Sequence, residues 1–408
     1  MKYEWKILKA KDFCYYITDG THDSPKTKNE GHYLITSKHL SKYDIDFTTA
    51  KKISEEDYQN VIKRSNVEQW DILFSMIGTV GITYLERNKD INYACKNMGI
   101  FKFNGDKRKA YWLYYYLQSP KATEYISSHL RGTTQQYLPL SSLRDFPIII
   151  PPVKTQEQIV SILSAIDSKI ELNNKINKNL EEQAEAIFKS WFVDFEPFGG
   201  VMPDNIINIP LSNLCSVITK GTTPTTLGKK FTETGIHFIK AESILDNHSF
   251  DIGKFAHIDE QTNNILKRSI IQTGDILFTI AGTLGRFAIV DEHIIPANTN
   301  QAVAIIRVNN EVISPECLYS FFIGNWHNNY YRKRVQQAVQ ANLSLTTIKS
   351  LPITILNRED MKRYTQIITP LFKRMKTNEV ENQRLSALRD ALLPKLMNGE
   401  INLSKIKD

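Results

Sequence analysis

The chain has 408 residues, a formal net charge of +7, 41% hydrophobic and 23% charged residues, a globular composition with length for two or three domains, each burying its own core. It has no apolar run long enough to span a bilayer. Its opening, MKYEWKILKAKDF, lacks the apolar stretch of a secretory signal, so a cytoplasmic location is expected.

From the N-terminus, short apolar runs such as IFKF (100–103), set between Gly, Asn and Asp, predict a strand-rich α+β globule over 1–152. Within it DILF (71–74) reads as a strand after a turn, and YWLYYYL (111–117) as a helix packed in the core rather than a stacking platform for bases. Cys14, Cys95, Cys215 and Cys317 form no CxxC pair and are expected to be reduced core residues.

Pro151 and Pro152 precede a stretch free of Gly and Pro, and a long helix is predicted over 153–194. Ile159, Leu163, Ile166, Ile170, Asn173, Asn177, Leu180, Ala184, Ile187 and Trp191 are spaced alternately by four and three, a heptad seam. Asp167-Ser168-Lys169, inside that helix, is assigned to a solvated face. The Pro- and Gly-bearing segment 195–210 reads as a linker.

The second half then repeats the first. DILFSMIGTVG (71–81) returns as DILFTIAGTLG (275–285), identical at seven of eleven positions, and the offset of about 204 residues aligns the chain nearly end to end. FCYYITDGT (13–21) meets LCSVITKGT (214–222), YLITSKHL (33–40) meets HFIKAESI (237–244), LPLSSLRDFPI (138–148) meets LSLTTIKSLPI (343–353), and YWLYYYL meets CLYSFFI (317–323). A second globule over 211–355 and a second long helix over 356–408 follow. Its seam is Tyr364, Ile368, Leu371, Met375, Asn378, Asn382 and Leu385, slipping phase at Leu388 towards Leu392 and Leu396, with Pro394 and Gly399 ending the helix. The expected fold is therefore a tandem pseudo-twofold α+β repeat whose long helices pack as an antiparallel coiled coil. Ile166, Ile170, Asn173, Asn177 and Leu180 would face Leu371, Met375, Asn378, Asn382 and Leu385, the asparagines setting register.

No catalytic or metal motif emerges. GTTPTTLGKK (221–230) has six residues between its glycines and Lys229 is followed by Lys230, so it is not a P-loop; the nine histidines lack metal spacing, and there is no GxSxG. What differs between the aligned halves is polar: Thr21, His22 and Lys26 against Thr222 and Thr223, with Lys229 and Lys230 following; Thr36, Ser37 and Lys38 against Lys240 and Glu242; Arg131, Thr133, Gln135 and Gln136 against Gln337 and Gln340, which the basic cluster Arg332, Lys333 and Arg334 precedes. Such side chains address phosphate oxygens and base edges, and the basic excess agrees with an anionic partner. Together they are the candidate nucleic-acid-binding residues.

The repeated DILF phrases, the GTTQ loop (132–135) and FPIIIPPVKTQEQIVSIL leading into a long helix resemble the specificity subunit of type I restriction-modification enzymes, over nearly the whole chain. The resemblance implies a non-catalytic subunit whose two domains each read half of a bipartite asymmetric DNA target, while the helices set the spacer and dock two modification subunits. S-adenosylmethionine would come with those partners and ATP and Mg with restriction subunits, leaving this chain with no cofactor. The second copy, PITILNRED, departs from the PP-x-x-x-QEQ pattern at the helix start. A two-headed protein-interaction scaffold without DNA binding is the alternative, and a stand-alone methyltransferase or nuclease ranks third.

Overall fold

The computed structural model describes residues 5–324, 342–401 and 403. The chain forms two compact units, Met1–Leu172 with Glu381–Asp408, and Asn173–Val380. Their limits cut across the predicted linear order, because each long helix begins in one unit and ends in the other. Each unit thus owns one globule and half of each helix.

In the first unit, Tyr16–Asp19, Met98–Lys102, Ile72–Ser75 and Thr83–Leu85 form, in that spatial order, an antiparallel four-stranded sheet. Ile72–Ser75 is buried at every position, so DILF reads as a continuous apolar run rather than an alternating one. A second sheet has His32–Ile35 at its centre, antiparallel to Lys51–Ile53 and parallel to Tyr93–Cys95. Lys6–Lys9 pairs with Pro147–Ile150 in a ribbon that brings the two ends of the globule together.

The aromatic run forms the helix Lys107–Tyr116, capped by Asp106, whose side chain accepts from Lys109 N. Trp112 is fully buried, and its indole N–H is satisfied by Ile149 O at 3.1 Å. The run is core, as predicted.

The second unit repeats this topology. Cys215–Lys220, Val303–Val308, Ile276–Thr279 and Phe287–Ile289 make the four-stranded sheet, and Ile236–Ile239 is flanked by Ala256–Ile258 and Ala297–Thr299 with the same directions as its counterpart. Ile207–Pro210 pairs with Pro352–Ile355. The last four residues of the predicted linker are therefore a strand, needed to close the second globule as Lys6–Lys9 closes the first.

The long helices run Val153–Phe192 and Arg358–Met397, 40 residues each. In the first unit Ile159 and Leu163 share a core with Leu393, Leu396 and Met397; in the second Phe188, Trp191 and Phe192 share one with Tyr364, Ile368, Phe372 and Met375. Early residues of one helix meet late residues of the other, so the pairing within each unit is antiparallel. In the second unit Asn378 Nδ2 donates to Asn177 Oδ1 at 2.7 Å and Asn177 Nδ2 donates to Met375 O at 3.0 Å, a polar rung that holds one register.

Three details of the helices differ from expectation. Leu388 is 49% exposed, and the seam passes instead through Arg389, which is 8% exposed. Asp167 is not on a solvated face: it is 2% exposed, with its Oδ1 accepting from Arg389 Nη1 at 3.0 Å and Tyr43 OH at 2.8 Å. The ion pair explains both, since an arginine at the seam requires a buried carboxylate opposite it. Pro394 does not end the helix, which continues to Met397.

Candidate nucleic-acid interface

Three strands of the first unit end at one edge of the globule. Thr21 N donates to Cys95 O at 2.9 Å, Lys96 N to Ile35 O at 2.8 Å and Gly20 N to Met98 O at 2.8 Å, so the residues after Asp19, Ile35 and Cys95 lie side by side. The approach is too close for a side chain: a Cβ on Gly20 would lie 2.2 Å from Cys95 O, and one on Gly221 would lie 1.7 Å from Thr299 O. Both copies therefore need the glycine of the Gly-Thr pair.

The repeated phrase supplies the adjoining turn. Ser75 Oγ donates to Thr79 O at 2.6 Å and accepts from Ile82 N at 2.8 Å, and Thr279 Oγ1 likewise donates to Thr283 O and accepts from Arg286 N at 2.9 Å. Gly78, Gly81, Gly282 and Gly285 all have positive φ. Serine and threonine are interchangeable here because only the hydroxyl is used. The preceding aspartates are also structural: Asp71 accepts from Lys102 Nζ at 2.8 Å and Asp275 forms a two-pronged pair with Arg307 at 2.7 Å.

Around this frame the predicted residues assemble. His22 Nδ1 lies 2.8 Å from Asn97 Oδ1 and its Nε2 lies 3.0 Å from Asp19 Oδ2. Thr21 is buried, whereas His22 and Lys26 are exposed. Thr36 caps the short turn Ser37–His39, Ser37 Oγ donates to Ile77 O at 3.2 Å, and Lys38 is exposed. The loop holding Arg131, Thr133, Gln135 and Gln136 is closed by paired bonds between Arg131 and Tyr137, both 2.9 Å, and tied to the repeated phrase by Gly78 N to Gln136 O at 3.2 Å. These four side chains are exposed. The arrangement joins the Thr36–Lys38 and Arg131–Gln136 segments through the 76–78 turn, and Thr21 and His22 through the neighbouring strand ends.

In the second unit the corresponding residues occupy the same frame with different chemistry. Thr223 Oγ1 donates to Gln301 Oε1 at 2.6 Å where the first unit has His22 and Asn97. Thr222 is half-buried, Lys229 half-buried and Lys230 exposed after the short helical turn Pro224–Leu227. Lys240 lies over the Phe231 ring at 4.9 Å and near exposed Glu242 at 3.9 Å. Leu343 N donates to Ile280 O at 2.8 Å, as Leu138 N does to Met76 O at 2.9 Å, so the second loop ends at the same anchor. Arg332, Lys333, Arg334, Gln337 and Gln340 lie outside the described residues.

Sequence reading missed the groups that hold this edge. Arg64 Nη2 donates to Asp19 O at 3.3 Å and Gly20 O at 3.1 Å, and Arg268 Nη2 donates to Lys220 O at 3.4 Å. Asn97 and Gln301 were also missed, as was the exchange of Asp19 for Lys220. The 204-residue offset pairs Arg64 with Arg268 and Asn97 with Gln301 directly, so the signal was present.

The cysteines offer no competing site. Burial pushes the Cys215 and Cys317 thiols up to about 12, all four are free, and among the described residues no group of three His, Cys, Asp or Glu side chains could hold a metal. Among the described residues no helix is long and apolar enough to cross a membrane.

Comparison with known proteins gives a consistent result. The family described as type I restriction modification DNA specificity domain matches residues 3–182 and again 203–388. The type I restriction enzyme HindI specificity subunit of Haemophilus influenzae is 25% identical over 406 residues, covering 82% of this chain and 87% of its own length. The MjaIX specificity subunit of Methanocaldococcus jannaschii is 23% identical over 424 residues, covering 99% and 95%. The crystal structure of a type I restriction-modification S subunit from M. genitalium has the same fold, with a TM-score of 0.57 at 16% identity over 97% of this chain and 96% of that one. A repeated frame, matched twice by one family over most of its length, settles the relationship: the chain belongs to the type I restriction-modification DNA specificity family and carries its domain in tandem.

Proposed function

We propose that this chain is the non-catalytic address-reading subunit of a type I restriction-modification complex in the cytoplasm, each unit's strand-end face reading one half of a bipartite, asymmetric DNA target. The observation that carries this reading is one frame present twice with different polar side chains at matched places: His22 and Asn97 against Thr223 and Gln301, Asp19 against Lys220, Lys38 against Glu242. Equivalent scaffolds with unlike hydrogen-bonding groups suit two unlike half-sites, since bases are discriminated by donor and acceptor pattern. The continuous helices set the spacer and dock two modification subunits, which bring S-adenosylmethionine and flip the target base. Restriction subunits bring ATP and Mg.

Replacing residues 1–150 with the first recognition domain of a relative tests the reading in a host that also expresses the partner subunits. Methylation mapping is expected to show one half-site changed and the other retained. Change in both halves, or none, contradicts it.

A further inference from the structure

Arg87 and Asp291 hold the same place in the two units, each two residues beyond a short strand, Thr83–Leu85 or Phe287–Ile289. The residue before each returns to the aspartate of the repeated phrase, Glu86 N to Asp71 O and Val290 N to Asp275 O, both at 2.9 Å. Glu171 and Lys376 are equally matched, each 18 residues after the first residue of its long helix. Arg87 Nη1 meets Glu171 Oε2 at 3.4 Å, and Lys376 Nζ meets Asp291 Oδ2 at 2.6 Å as well as Glu379 Oε2 of its own helix at 2.8 Å. The same bridge between globule and helix is therefore built twice with its charges exchanged.

A second difference lies one turn away. Asp167 and Phe372 are equivalent, each 14 residues after its helix start, as are Arg389 and Ala184, each 31 residues after. In the first unit the globule supplies Tyr43 to the buried Asp167–Arg389 pair. In the second, Phe372 packs on Tyr319 with ring centroids 5.0 Å apart, Ala184 is fully buried, and the corresponding loop supplies His248, which meets Glu181 at 3.2 Å. At the place of the Asp167–Arg389 pair itself, the first seat is polar and the second apolar.

We propose that each globule is keyed to its own helix segment by these reversed charges, so that the two recognition domains are not interchangeable between positions. A second-type globule on the first seat would set Asp291 against Glu171, and a first-type globule on the second would set Arg87 against Lys376. Glu379, at 2.8 Å, already balances the Lys376 charge in part, so the first seat is the more selective. Like charges in a partly desolvated contact discriminate against the wrong partner without weakening the right one. A globule suited to the first position therefore carries a cation at the place of Arg87, and one suited to the second an anion. The keying concerns how a globule is seated and stands apart from what its outer face binds.

The test uses the full chain and thermolysin cleavage under native conditions to read the opening of the first unit. Arg87→Asp and Glu171→Lys are each expected to raise cleavage about tenfold, and the double variant Arg87→Asp/Glu171→Lys to return within about threefold of the wild type. Losses that simply multiply overturn the proposal. A transposed chain, with residues 211–351 in place of 10–146, sharpens it. Its cut points are equivalent, because Ala10 N bonds Phe146 O and Leu211 N bonds Leu351 O, both at 2.8 Å. Glu171→Lys is expected to protect the transposed chain although it exposes the natural one; an effect of the same sign in both chains overturns the keying.

Discussion

At the scale of residues, the groups that recur unchanged serve the scaffold. A methyl group added at Gly20 would overlap Cys95 O at 2.2 Å, so Gly20→Ala is expected to destabilise the first unit by about 3 kcal/mol, measurable as a lower denaturation midpoint. An unchanged midpoint would show that the strand ends can part. Asp71 adds a pH dependence. Burial pushes its carboxyl from the ordinary 3.8 up to about 6, against the opposing pull of Lys102. A carboxyl with a folded value above its unfolded one stabilises fully at low pH, and that contribution is lost as pH rises through 6. Between pH 4 and pH 7.5 the wild type should lose about 2 kcal/mol more stability than Asp71→Asn, and parallel pH profiles of the two proteins would contradict this.

At the scale of elements, the seam was legible where apolar residues recur by fours and threes, because burial along a helix pair enforces that period. It was misread at Leu388, where periodicity alone prefers a leucine and the pairing with Asp167 prefers Arg389. The asparagine rung between Asn177 and Asn378 marks a point where the helices are in register. In the proposed function, inserting one heptad after Asn177 and one before Asn378 adds about 10 Å of helix. The spacer tolerated between half-sites should then lengthen by about three base pairs at roughly 3.4 Å each, read by methylation mapping. An unaltered spacer would remove the helices from that role.

At the scale of the whole molecule, the recognition reading predicts that phosphate contacts contribute strongly to affinity. Binding to random duplex DNA, with partner subunits present, should weaken steeply as salt rises. Absence of binding at low salt would favour a protein-interaction scaffold. The duplication made much of the molecule readable from one chain: two globules, two helices and polar loops of unlike composition follow from aligning 71–81 with 275–285. The division into units did not follow, because the second half of each helix packs in the other unit.

Sequence by itself determined the elements and their repetition, since strand burial, helical period and turn glycines are local requirements written residue by residue. Tertiary structure alone decided which distant groups meet: Asp167 with Arg389, Arg87 with Glu171, and Asp291 with Lys376. Charge pairing depends on proximity between residues far apart in the chain, and no spacing rule encodes it. DILFSMIGTVG belongs to both accounts. Its repetition revealed the tandem fold, while its three-dimensional setting showed a hydroxyl-pinned turn beside the face proposed to read DNA.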